Sequence, residues 1–143
     1  MKLFPAALSS LAFLAVLSGS AAGKDVKTYI DQGVAHLEAG KFDQALGDFN
    51  EALKLKPNDP ALYDYRGIAY RAQGQDDKAL ADFNRAMELE PRFARAYRNR
   101  AMIYFDRSDF DKSVADQEKA QSLGYKIDPD FLKLTKRKAA EKK

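Results

Sequence analysis

A chain of 143 residues, 45% hydrophobic and 31% charged, has the composition of a soluble globular protein and length for one domain. It holds no cysteine, which excludes disulfides, thiol nucleophiles and thiolate metal sites and suits an oxidising compartment. Its formal net charge of +3 is concentrated at the C-terminus, where Lys133, Lys136, Arg137, Lys138, Lys142 and Lys143 stand against Glu141 alone.

The first element is a leader. Met1-Lys2 supplies positive charge, Leu3 to Leu17 an apolar run, and Ser18 to Gly23 a region of small residues. This order predicts a signal peptide over residues 1–23, cleaved after Ala21, Ala22 or Gly23, and a mature chain that is periplasmic or secreted. The run is too short, and too soon followed by polar sequence, for a membrane span. Leu17-Ser18-Gly19-Ser20 has the shape of a bacterial lipoprotein processing box, but Ser20 occupies the place of the lipid-bearing cysteine and cannot form the thioether.

Helices follow in pairs. The first helix of each pair is expected near 26–39, 60–73 and 94–107, the second near 42–55, 76–89 and 110–123. Gly40 and Gly74 suit the left-handed residue that ends a helix. Asn58-Asp59-Pro60 offers an N-cap followed by proline at the first helical position. Asp76, Asp77, Asp109 and Asp111 lie where negative charge favours the helix dipole, so they are expected as helix-start residues rather than metal ligands or acid–base groups. Asp128-Pro129 starts a seventh helix running to about Ala140, whose Phe131, Leu132 and Leu134 are expected to cover the end of the stack.

The pairs repeat. Gly33 and Gly67 are 34 residues apart, as are Gly40 and Gly74, Ala45 and Ala79, Phe49 and Phe83, Ala52 and Ala86, and Pro57 and Pro91. Tyr29, Tyr63 and Tyr97 carry the step into a third copy. Seven coincident series at one period mark a repeat array. The two glycines permit close helix approach, and the Tyr and Phe rings fill the space between helices, each worth roughly 1.5–3 kcal/mol when fully buried.

These positions resemble the tetratricopeptide repeat. The first copy presents Tyr29, Gly33, His36, Ala45, Phe49, Ala52 and Pro57, and the second Tyr63, Gly67, Tyr70, Ala79, Phe83, Ala86 and Pro91. The third keeps Tyr97, Ala101, Tyr104 and Ala120 but has Ser113, Gln117 and Tyr125 where a small apolar residue, an aromatic and a proline are expected. A terminal repeat, facing a different neighbour, is often atypical. The resemblance covers about residues 26–127. It implies an all-α, right-handed α-solenoid of three helix hairpins (26–59, 60–93, 94–127), with 128–143 as a capping helix and basic tail. It further implies a concave groove, lined by the first helices, that takes a peptide or partner domain.

The groove residues so implied are Lys27, Ile30, Asp31 and Val34; Asp64, Tyr65, Ile68 and Arg71; and Arg95, Arg98, Asn99 and Met102. Arg92, Arg95 and Arg98, three apart, suggest a ridge for an acidic segment, with pairing to Asp64 or Asp106 as the competing role. The family's chaperone-tail binders use a five-residue clamp of lysines, asparagines and arginine. Its places here are Ile30, Val34, Tyr65, Arg95 and Asn99, and only Arg95 keeps the expected charge, which argues against that specificity.

No catalytic constellation emerges. His36, the one histidine, sits at a helix-packing position and cannot alone form a catalytic triad or a zinc site. The glycines follow the repeat instead of forming a phosphate loop. The expectation is a non-catalytic adaptor or scaffold of the cell envelope, without cofactor or metal, whose partner is another protein or a peptide, an acidic one where the arginine ridge is free to hold it, and not nucleic acid. The alternative is a structural subunit of an envelope or secretion assembly that uses its convex face or basic tail. Residues 132–143 would add weak contact with an anionic surface, at about 1 kcal/mol per basic residue, although positive charge also suits a helix C-terminus.

Overall fold

The structure, a computed structural model, describes residues 23–142. The expected signal peptide lies outside the described residues except for Gly23, which is exposed coil. The described residues form seven helices: α1 (Val26–Glu38), α2 (Phe42–Leu55), α3 (Pro60–Ala72), α4 (Asp76–Leu89), α5 (Ala94–Asp106), α6 (Phe110–Ser122) and α7 (Pro129–Glu141). Each boundary falls within one residue of the sequence expectation.

Local chemistry sets these ends. Asp25, Asp59 and Asp128 are N-caps whose carboxylates accept from Thr28, Ala61 and Asp130 backbone N–H groups, and proline opens both α3 and α7. The second helices α2, α4 and α6 lack side-chain caps but carry Asp43, Asp76 with Asp77, and Asp111 in their first turns. Gly40 and Gly74 turn the chain at φ +70° and +72°. Ser108, at the same point of the third repeat, takes φ +60° without the glycine.

Within a repeat, the antiparallel helices meet at a glycine–phenylalanine contact. A β-carbon on Gly33 would lie 2.5 Å from Phe49 Cε1, and one on Gly67 would lie 2.6 Å from Phe83 Cε1. Both rings are fully buried, among Ala45 and Ala69 in one cluster and Ala79, Ala86, Ala96 and Ile103 in another. Between repeats, Tyr63 Oη donates to the Pro57 carbonyl at 2.9 Å and Tyr97 Oη to the Pro91 carbonyl at 3.1 Å, so each ring fastens its helix to the preceding turn.

The third repeat exchanges this apolar contact for a polar one. Ala101 and Gln117 stand where Gly67 and Phe83 stand one repeat earlier. Ser113 Oγ donates to the Ala101 carbonyl at 2.8 Å. Gln117 Nε2 donates to Ser113 Oγ at 3.1 Å and to Thr135 Oγ1 at 3.0 Å, and Thr135 in turn donates to the Phe131 carbonyl. Gln117 and Thr135 are buried, so this chain ties α5, α6 and α7 together through groups that water does not reach. Phe131, Leu132 and Leu134 are only half-buried; Thr135 is the residue of α7 fully enclosed. Phe131 also packs on Phe105 at 5.0 Å between ring centroids.

Candidate functional site

Each helix packs on its chain neighbours, and α3 additionally touches both α1 and α5. Among the described residues, no comparable contact joins the second helices. The first helices therefore crowd the inner side of the curve and line its concave surface. Two open depressions lie there. One, of about 420 Å³, runs between α3 and α5, with Ile68 and Arg71 on one wall, Arg98 and Asp106 on the other and Phe83 in its lining. The second, of about 330 Å³, lies between α5 and the chain leading into α7, with Met102, Tyr125, Ile127 and Phe131 around it. Arg98 borders both.

The twelve residues expected in the groove divide into four groups. Lys27 and Asp31 are exposed and pair with each other one turn apart. Ile30 and Val34 are half-buried and pack against the cores beneath them. Tyr65, Ile68, Arg71, Arg98 and Met102 are half-buried on the open surface, with Arg71 donating to Asp106 at 2.8 Å. Tyr65 stacks on Phe49 with centroids 5.5 Å apart.

Asp64 corrects the expectation. Asp64 and Asn99 are buried, at 0% and 5% exposure; Asp64 is closed off from a ligand, whereas Asn99 keeps an edge in the lining of the first depression. Asn99 Nδ2 donates to Asp64 Oδ1 at 2.8 Å, and Arg95 Nε lies 2.6 Å from Asp64 Oδ2. The three side chains bolt α3 to α5 under the groove floor. Arg95 also lies over the Tyr65 ring, 4.6 Å from its centroid, and over Phe93. Burial pushes the Asp64 carboxyl above its ordinary range, and Arg95, Asn99 and the charge of Arg98 oppose that shift. Arg95 is thus committed to an internal partner, so pairing prevails over the ridge. Arg92 is no part of a ridge either: it sits in the turn before α5. Arg98 remains, bonded only to Asn99 Oδ1 at 3.1 Å and, among the described residues, without a carboxylate within salt-bridge reach.

A second periodic system went unread in the sequence. Arg66 makes two bonds to the Asp82 carboxylate, at 2.8 and 2.7 Å, and a third to Asn50 at 2.8 Å. Arg100 repeats this with Asp116 and Asn84. Each guanidinium joins a first helix to its own second helix and to the second helix of the preceding repeat. The signal was present, since Arg66 and Arg100, Asp82 and Asp116, and Asn50 and Asn84 all keep the 34-residue step. In the first repeat Gln32 takes the arginine position, and Asp48 bonds His36 Nδ1 at 2.6 Å instead. His36 is accordingly half-buried and partnered at the helix interface.

On α7, Lys136 pairs with Glu118 at 2.7 Å and Lys142 reaches the Ser108 carbonyl at 2.9 Å, while Lys133 and Arg137 are exposed. Among the described residues, no group of three or more His, Asp or Glu side chains is placed to hold a metal ion, and no helix is long and apolar enough to cross a membrane.

Three stacked antiparallel hairpins with an added terminal helix, crowded along one concave side, define a helical repeat scaffold. The model of the TPR repeat matches residues 33–74 and 67–108, and that of the tetratricopeptide repeat matches 94–123. The chain belongs to the tetratricopeptide-repeat family. Among solved structures it is similar to the Sgt2 TPR domain from Aspergillus fumigatus, with a TM-score of 0.75, 26% identity, and 81% of this chain and 80% of that chain covered. The first TPR of Spaghetti (RPAP3), bound to HSP90 peptide SRMEEVD, gives a TM-score of 0.75 at 21% identity, covering 81% and 94%. The TPR2B domain of yeast Sti1, in a pHsp70 complex, gives 0.71 at 20% identity, covering 82% and 98%. No curated protein matches the chain.

Proposed function

We propose that this protein is a non-catalytic adaptor of the cell envelope that holds a peptide segment or partner domain in its concave groove. The observation that carries the reading is the pair of open depressions along α3 and α5, bordered by half-buried Ile68, Arg71, Arg98 and Met102. Apolar and forked cationic groups side by side are what a peptide needs, one class to bury a side chain and the other to fix its register. Similar folds, one bound to an HSP90 peptide and one in a pHsp70 complex, support a protein or peptide partner. The partner is not a chaperone tail of that kind, because Ile30, Val34 and Tyr65 supply no charge at the clamp positions and Arg95 is spent on Asp64. The leader pattern of residues 1–23 supports export, which N-terminal sequencing of the protein from an extracytoplasmic fraction tests directly.

A pull-down with the full-length chain beside an Ile68→Ser, Arg98→Gln double variant tests the groove. Partners lost by the variant at unchanged helicity establish it. Partners retained by both baits exclude it and move the interaction to the convex face or to the exposed basic side chains of α7. Arg95 and Asp64 are left intact, because their replacement would disturb the fold as well as the surface.

A further inference from the structure

The groove reading leaves open what the site selects, and the cations of the concave surface narrow that choice. Arg71 is bonded to Asp106 and Arg95 to Asp64. On the neighbouring faces, Arg66, Arg100 and Arg107 each hold a carboxylate as well. Arg98 alone is half-buried on this surface with no carboxylate within salt-bridge distance among the described residues, its one side-chain bond going to the neutral Asn99. It borders both depressions, so a chain lying along the groove must pass it. Lys126, exposed and without a salt bridge among the described residues, lines the second depression as well. The acid there, Asp128, is occupied as the N-cap of α7. Met102, Tyr125, Ile127 and Phe131 supply the apolar part of the same lining, beside the amide of Gln117.

Resting on the groove reading, we infer that the second depression selects a peptide carrying an acidic side chain next to a bulky apolar one. The carboxylate is held by the Arg98 guanidinium, with Lys126 adding attraction, and the apolar side chain drops against Met102 and Phe131. Arg98 is available for this because the buried carboxylate of Asp64 is already held by Arg95 and Asn99. The site also depends on α7: Phe131 closes a wall that the three repeats alone do not supply.

Selection of random dodecapeptides displayed on phage against the full-length chain tests the inference. The expected consensus pairs Asp or Glu with an adjacent Leu, Ile, Met or Phe. Binding of the consensus peptide should fall about tenfold on Arg98→Gln and about tenfold when its acid is replaced by the amide, the two losses not adding because they remove one interaction. Arg98→Lys should retain part of the affinity, and Arg92→Gln, outside the groove, all of it. The amide peptide carries the test on the unaltered protein even if Arg98→Gln folds poorly. A consensus without an acid, or an acid whose neutralisation leaves binding unchanged, overturns the inference. If such peptides still lose affinity on Ile68→Ser, the groove reading survives that outcome. No enriched peptide, or binding indifferent to both Ile68 and Arg98, overturns both.

Discussion

Gly67 and Phe83 claim the same space: a β-carbon on the glycine would lie 2.6 Å from Cε1 of the ring. The ring is fully buried and cannot swing into solvent, so Gly67→Ala forces α3 and α4 apart. Overpacking of about 1–3 kcal/mol exceeds the roughly 1 kcal/mol that alanine gains over glycine in a helix. The variant is expected to be less stable by about 1–2 kcal/mol in urea unfolding. Combined with Phe83→Leu, the alanine should cost much less than it does alone. Strict additivity of the two changes would show that the contact does not limit helix approach.

The third repeat resolves the same conflict in another way, which sets the limit of what the sequence discloses. The 34-residue step carries the helices, their ends and the glycine–phenylalanine contacts, because these depend on residue type at fixed spacing. It also signals the departure at Ser113 and Gln117, but not its purpose. That purpose lies in Thr135, a residue outside the repeat, whose hydroxyl receives the Gln117 amide across α6 and α7. The groove was legible as a face and not as a set of free side chains. Asp64 and Asn99 lie on the helices that line it, yet whether a polar residue points out or is drawn under by Arg95 depends on distances between repeats, which periodicity does not encode.

The Asp64–Arg95 pair should respond asymmetrically to mutation. Arg95→Ala strands a fully buried carboxylate, expected to cost about 3 kcal/mol at neutral pH. Asp64→Asn leaves Arg95, which is one-third exposed, able to recover water, and should cost about 1 kcal/mol or less. The sign of the pH effect follows from the raised carboxyl of Asp64. Its contribution to stability is complete below the unfolded carboxylate value and is lost as pH rises through the folded value. Without Arg95, the strongest of the three groups opposing that rise, the folded value climbs further. The deficit of Arg95→Ala should therefore shrink as pH falls from neutrality toward the ordinary carboxylate range. Urea titrations of both proteins at several pH values check this, and a constant or growing deficit would contradict the assignment.

Arg66 serves three acceptor atoms at once, two on Asp82 and one on Asn50. An ammonium on a flexible stem reaches one of them well and loses the fork. Arg66→Lys is expected to cost about 1–2 kcal/mol although charge is preserved. Arg100→Lys should match it, since Asp116 and Asn84 reproduce the geometry. Equal losses would identify the two braces as one device repeated. A loss confined to Arg66 would mean that the terminal repeat is held chiefly by α7.

Gln117 is the one buried side chain of the α6–α7 network with an unmatched atom: its Nε2 makes two bonds while its Oε1 makes none. Ser113 and Thr135 each direct their own hydroxyl proton to a backbone carbonyl, at Ala101 and Phe131, so neither depends on Gln117 for a partner to donate to. Gln117→Met keeps the shape and removes the stranded acceptor together with the two amide bonds. Because leaving a buried group unmade costs about 1–3 kcal/mol and each bond returns only about 1, the change is expected to be neutral or to stabilise by up to about 1 kcal/mol. Thr135→Val acts in the opposite direction: it leaves one Gln117 N–H buried without an acceptor, and should cost about 1–2 kcal/mol. In the double variant Gln117→Met, Thr135→Val no N–H remains to be stranded, so the threonine change should then be nearly silent. Thermal unfolding of the four proteins of this cycle measures the coupling, and a Thr135→Val penalty that persists in the methionine background would show that the hydroxyl acts through its bond to Phe131 and not through Gln117.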